Sequence, residues 1–192
     1  MTSIDYYDTI LGMSDLSNRI LLHHCCVVCT PKVLGYFQKE FKEVEGFWFN
    51  PNIHPGEELK KRHEALKTFS MERKYRLLEK NDYPEDLWSK SVGNNSEEPE
   101  RCKICYSIRM KITAQEAKKM NIRYFSTTLL SSPHQKHDLV KTAGIQAAEE
   151  EGLNFVYKDF RLDFYEGKNE IWSKKLYMQK YCGCFYSINE KK

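Results

Sequence analysis

The chain has 192 residues, 41% of them hydrophobic and 30% charged, with 30 Lys and Arg against 27 Asp and Glu. That length builds one domain with its own core, so a short disulfide-stapled scaffold is excluded. The net charge of +3 neither demands nor repels a nucleic-acid partner. Residues 1–19 lack a basic region followed by an apolar run, so no signal peptide is expected. No apolar run is long enough to span a bilayer. These points predict a cytoplasmic protein with no membrane partner and reduced thiols.

The order of elements follows from hydrophobic spacing. Residues 1–17 read as an N-terminal extension, 18–187 as one α/β domain and 188–192 as a tail. Arg19 to Val28 reads as a buried strand through Ile20, Leu21 and Leu22. Thr30-Pro31 then starts a helix carrying Val33, Leu34, Phe37 and Phe41. Val44 to Phe49 reads as a second strand, ended by the turn-rich Asn50-Pro51-Asn52-Ile53-His54-Pro55-Gly56. A long polar helix is expected from Glu57 to about Lys80, with a loop over Ser89 to Arg101. Cys102 to Met120 reads as a helix, Arg123 to Leu130 as a strand and Asp138 to Glu151 as a helix. Leu153 to Tyr157 reads as a short strand, and Asn169 to Tyr181 as a last helix delivering Cys182-Gly183-Cys184. The alternation predicts a Rossmann-like, mainly parallel sheet with helices on both faces.

Seven cysteines fall in three tight groups: Cys25, Cys26 and Cys29; Cys102 and Cys105; Cys182 and Cys184. Three clusters remote in sequence suggest convergence on one place, where a soft metal, a metal cluster or redox chemistry would use them. Four thiolates satisfy a zinc ion or a cubane iron–sulfur cluster, and the surplus points to a second centre. Cys25 and Cys26 are adjacent, so they are expected to diverge toward two neighbouring centres. Cys102 and Cys105 would sit at a helix start, where the dipole lowers thiol pKa. Gly183 would let backbone amides approach sulfur. No Walker loop and no Ser-Gly-Gly-x-Asp-Ser phosphate loop is present, which disfavours a nucleotide-dependent mechanism. A zinc-stabilised RNA-binding module and a cluster-dependent tRNA thiolase stand as alternatives.

Five motifs then carry a family resemblance. They are His24-Cys25-Cys26-x-x-Cys29; Asn50-Pro51-Asn52-Ile53-His54-Pro55; Arg101-Cys102-x-x-Cys105-Tyr106 with Arg109; Thr127-Thr128-Leu129-Leu130-x-Ser132-Pro133 with Gln135; and Tyr177-x-Gln179-x-Tyr181-Cys182-Gly183-Cys184. Together they resemble the epoxyqueuosine reductases of the QueH type, over residues 18 to 187. The resemblance implies an adenine-nucleotide α-hydrolase-like fold and deoxygenation of epoxyqueuosine in tRNA, without cobalamin. It also implies a [4Fe-4S] cluster beside an additional mononuclear iron. The chain departs from the pattern at Val27-Val28, where many members have Ala-Pro, and at Met178, where Arg is common. Cys29 stands where some members have Asp.

On that reading all seven cysteines are metal ligands. Cys26, Cys102, Cys105 and one of Cys182 and Cys184 would take the cluster. Cys25, Cys29 and the remaining cysteine would take the single iron, with Cys25, Cys29 and His24 as catalytic candidates. On a buried strand, however, His23 and His24 read first as satisfied core residues. Tyr106, Ser132, Gln135 and Tyr181 are substrate-binding candidates, Tyr106 and Tyr181 by stacking on the base. Phosphate contacts are expected among Arg101, Arg109, Lys136, Arg161, Lys168, Lys174 and Lys175. His134 and His137 are expected to face solvent. An external electron donor is required, because a cluster passes electrons singly.

Overall fold

The computed structural model describes residues 18–84 and 86–188. The expected extension 1–17 and all but residue 188 of the expected tail lie outside them. Five strands form one sheet, β1 (Arg19–His23), β2 (Glu43–Trp48), β3 (Leu77–Glu79), β4 (Tyr124–Thr127) and β5 (Asn154–Phe155). Their order is β3-β2-β1-β4-β5 and every pairing is parallel. The helices are α1 (Thr30–Glu40), α2 (Gly56–Glu72), α3 (Leu87–Val92), α4 (Glu100–Lys119), α5 (His137–Glu151) and α6 (Phe164–Ser173).

Parallel strands need crossovers, and right-handed crossovers fix the layers. The chain steps outward from β1 to β2 and β3, so α1 and α2 cover one face. It then returns past β1 to β4 and β5, so α4 and α5 cover the other. The helix contacts agree: α4 packs along α5, and α6 packs against α1. Ile20, Leu21 and Leu22 have no exposed surface, as a strand buried on both faces requires. The reversal between β1 and β4 is a topological switch point, and both strands end at the same edge of the sheet.

Three expected elements differ. The helix expected to reach Lys80 ends at Glu72. Lys74 adopts φ 54°, turning the chain so that Leu77 pairs with Gly46 as β3. Its run Met71-Glu72-Arg73-Lys74 carries no Gly or Pro to mark that stop. The loop expected over Ser89 to Arg101 begins inside α3, which is anchored by buried Trp88 and Val92. The last helix is Phe164–Ser173, ending before Lys175, which has φ 55°. Residues 174–184 therefore form a non-helical strap, which crosses back to the loop after β2 through an Ile53–Cys184 bridge.

Candidate metal centre

β1 stops at His23, where His24 N makes the final ladder bond to Phe47 O, 2.9 Å. The loop that follows is pinned from three sides. Cys25 N donates to Thr128 Oγ1 (3.0 Å), Asn50 Nδ2 to His24 O (2.9 Å) and Thr30 Oγ1 to Cys26 O (2.9 Å). Within it Cys25 Sγ and Cys26 Sγ are 3.7 Å apart, and the sulfurs of Cys25, Cys26 and Cys29 lie within 4.8 Å of one another. The adjacent pair therefore converges. Alternation of side chains belongs to strands, and these residues have already left one. Thiol donation, first from Cys25 and then from Cys29, holds Cys26 well below the usual thiol range. The same bond to Cys26 pushes Cys25 up to about 12.

The other four thiols meet nearby. Cys102 and Cys105 lie in the first turns of α4, and the strap brings Cys182 and Cys184 to the same small cavity, beside Trp88 and Tyr106. Unlike the first trio, no other three of these side chains among the described residues close to single-ion spacing. Burial pushes Cys102 up to about 11 and Cys105 up to about 12. The helix start does not lower them as expected, because desolvation outweighs a fractional dipole charge.

Arg62 of α2 fastens the strap. Its Nη1 donates to Cys182 O (2.9 Å), its Nη2 to Tyr181 O (3.0 Å) and its Nε to Glu58 Oε1 (2.7 Å). His54 N adds a bond to Gly183 O, 2.8 Å. Gly183 has φ +105°, and the space beside its Cα holds the Arg62 guanidinium rather than a sulfur. Arg62 carries no signal of its own in the sequence, because a Glu58–Arg62 pair reads like any exposed helical ion pair.

Arg109 joins the two thiol groups from below. It is buried, with Nη2 2.6 Å from Asn50 Oδ1, Nε 3.4 Å from His23 Nε2 and Nη1 3.8 Å from Cys105 Sγ. It faces the floor of the thiol site rather than the outer surface. Arg101 is buried too, donating to Ser96 O (2.7 Å) and Glu98 Oε1 (3.0 Å). Arg109 reaches inward to the end of β1, whereas Arg101 is covered by the loop before α4 and by Tyr186, whose ring lies 5.8 Å from its guanidinium. Lys136 pairs with Glu98, Arg161 with Asp159 and Lys174 with Glu72. His137 is likewise not solvent-facing: it opens α5 inside the fold, with Nε2 3.0 Å from Leu130 O.

A cavity of about 1040 Å³ opens over the first trio. Cys25, Cys26 and Cys29 line it with Ser132, Gln135, Tyr181 and Cys182. Tyr106 lies under Gln135 instead, donating to its Oε1 at 2.9 Å. The Tyr181 hydroxyl donates to His54 O, and its ring lies 5.2 Å from the Arg62 guanidinium. Gln179 Nε2 is 2.9 Å from Cys26 Sγ, and Thr128 Oγ1 is 3.2 Å from Cys25 Sγ. His24 is outside the cavity, fully buried, with Nδ1 3.0 Å from Thr30 Oγ1 and its ring against Tyr75.

The fold resembles that of a U34-tRNA thiolase from Methanococcus maripaludis, solved with its [4Fe-4S] cluster. The TM-score is 0.56 at 13% identity, covering 90% of this chain and 62% of that one. The likeness supports the adenine-nucleotide α-hydrolase-like architecture. An epoxyqueuosine reductase QueH from Dehalococcoides mccartyi is 36% identical over 92% of this chain and 96% of its own length. Another, from Thermotoga maritima, is 33% identical over 90% of this chain and 92% of its own length. Residues 20–190 match the family model described as epoxyqueuosine reductase QueH. The chain belongs to the epoxyqueuosine reductase QueH family.

Proposed function

We propose that this protein reduces epoxyqueuosine to queuosine in tRNA, at the cavity over Cys25, Cys26 and Cys29. The observation that carries the reading is the convergence of seven free thiols at one sheet edge in a member of this family. The reaction adds two electrons and two protons to the epoxide and leaves an alkene and water. The electrons come from an external donor. Free thiols throughout suit a reducing, cytoplasmic setting.

The donor sets fit iron. Three sulfurs within 4.8 Å suit a single ion, and four soft donors around one cavity, Cys105 and Cys184 buried and Cys102 and Cys182 partly so, suit a cluster. The proposed holders are Cys25, Cys26 and Cys29 for a mononuclear iron and Cys102, Cys105, Cys182 and Cys184 for a [4Fe-4S] cluster. This moves Cys26 from the cluster to the single ion, because its sulfur lies beside that of Cys25. When bound, such centres supply electrons one at a time and a Lewis acid.

The surrounding residues do the rest. Arg109 offsets the negative charge of the thiolates from beneath. Gln179 and Thr128 orient Cys26 and Cys25 through their contacts to sulfur. Ser132 and Gln135 offer hydrogen bonds to the modified base, with Tyr106 bracing Gln135. Leu129, Phe164 and Leu176 form apolar wall that excludes water. His24 serves as a positioning residue, holding the thiol loop through Thr30.

The test is anaerobic reconstitution with iron and sulfide, then nucleoside analysis of epoxyqueuosine-containing tRNA after adding a reductant. The expected product is queuosine, one oxygen atom lighter, and Cys29→Ala abolishes it. Protein that holds only zinc, or iron-loaded protein that returns the tRNA unchanged, overturns the proposal. Turnover requiring ATP would instead favour thiolase chemistry.

A further inference from the structure

α6 sorts its side chains by chemistry. Asp163, Glu166 and Glu170 lie along one side, and Glu166 and Glu170 are paired with Lys32 and Arg73. Tyr165, Lys168 and Trp172 recur at helical spacing on the opposite side, with Lys175 just beyond. That side faces solvent: Tyr165 is 63% exposed and Trp172 72% exposed. Both rings, together with Lys168, Lys175 and Lys180, also line the cavity that ends at Cys25, Cys26 and Cys29. None of the three lysines is in an ion pair among the described residues.

A flat, wet indole costs solvation and gains nothing where it stands. Free ammonium groups beside it repel a basic partner and attract a polyanion. Aromatic rings alternating with unpaired cations suit bases and phosphates of a single strand, where each base offers a face for stacking. A blunt duplex hides those faces, so the chemistry selects an unpaired loop.

We propose that the outer side of α6 seats the unpaired RNA loop that carries the substrate base, with Trp172 stacked on a neighbouring base and Lys168 and Lys175 on its flanking phosphates. This rests on the tRNA reading above and adds the surface that presents the nucleotide to the cavity.

The test measures binding of a short RNA hairpin with an unpaired loop, against a blunt RNA duplex of equal length, to the metal-loaded protein. Trp172→Ala is expected to weaken hairpin binding about tenfold, while Trp172→Phe stays near wild type. Lys168→Ala and Lys175→Ala each lower the salt slope of binding by about 0.7. Trp48 and Trp88 are buried, so acrylamide quenches mainly Trp172, and hairpin binding protects it. Hairpin affinity unchanged in Trp172→Ala overturns the proposal. So does a loss of self-association in that variant without loss of RNA affinity, which would assign the ridge to a second copy of the chain. The hairpin carries no epoxide, so its binding stands or falls separately from turnover.

Discussion

Arg62 and Gly183 compete for one volume. A Cβ on Gly183 would lie 2.8 Å from Arg62 Nη1, and Gly183 holds φ +105°. Glycine is the residue that accepts both conditions. Gly183→Ala therefore strains the backbone by about 1–2 kcal/mol and displaces the guanidinium that carries Cys182. In metal-free protein, alkylation of the strap thiols should speed up severalfold, read by peptide mass mapping. Arg62→Lys keeps the charge but loses the planar fork, so it should show the same acceleration. Labelling at the wild-type rate in both variants would refute the clamp.

Arg109→Ala leaves Asn50 Oδ1 and His23 Nε2 buried without the guanidinium that now meets them. Losing hydrogen bonds to a charged group in the interior costs about 2–3 kcal/mol. Urea unfolding should show a lower midpoint at an unchanged slope. A change below about 0.5 kcal/mol would show that Arg109 carries no structural weight.

Gly144 of α5 faces the ring of Phe155, where an added Cβ would come within 2.6 Å of three ring atoms. Overpacking of that kind costs about 1–3 kcal/mol and exceeds the helix propensity gained from alanine, about 1 kcal/mol. Gly144→Ala should lower Tm by about 2–4 °C. The double variant with Phe155→Leu should recover part of that loss; an unchanged Tm in the single variant would deny the contact.

Asp159 is held down to about 2 from 3.8, first by its bonds from Arg161 and also by the nearby His137. A carboxylate with a lowered folded pKa stabilises the fold above its unfolded value. That contribution fades as pH falls from 3.8 toward 2. The group is partly solvated, so screening keeps the effect to about 1 kcal/mol or less. Asp159→Asn should be less stable than wild type at neutral pH and converge with it in acid. A gap that persists to pH ~2 would mean that charge is not the cause.

The parallel sheet was legible because Ile20, Leu21 and Leu22 form an apolar run and helical spacing recurs between strands. β3 was hidden, since its three residues follow good helix formers and a lone left-handed lysine makes the break. The thiols were legible as groups but not as partners. Cys25 and Cys26 meet because the strand has ended at His23, a boundary that the pattern through Val28 obscured. The sorting of Cys102 and Cys105 with Cys182 and Cys184 depends on the strap, whose path is set by Arg62, remote in sequence. Arg101 and Arg109 looked like surface charge, because composition does not reveal which positions of a helix the fold covers.

Leu176 and Met178 set the first half of the 174–184 strap against the core, while the half that carries the cysteines is held by backbone bonds to Arg62 and His54. The sheet core, by contrast, is built mainly on buried aliphatic and aromatic side chains such as Ile20, Leu21, Leu22 and Phe125. Stripping metal from the site should thus act as an unfastening rather than an unfolding. Circular dichroism would be nearly unchanged, while a protease gains access to the segment around Lys175 and Lys180. Metal occupancy would then be written into the lifetime of the protein, since the form that cannot turn over is also the form most readily cut.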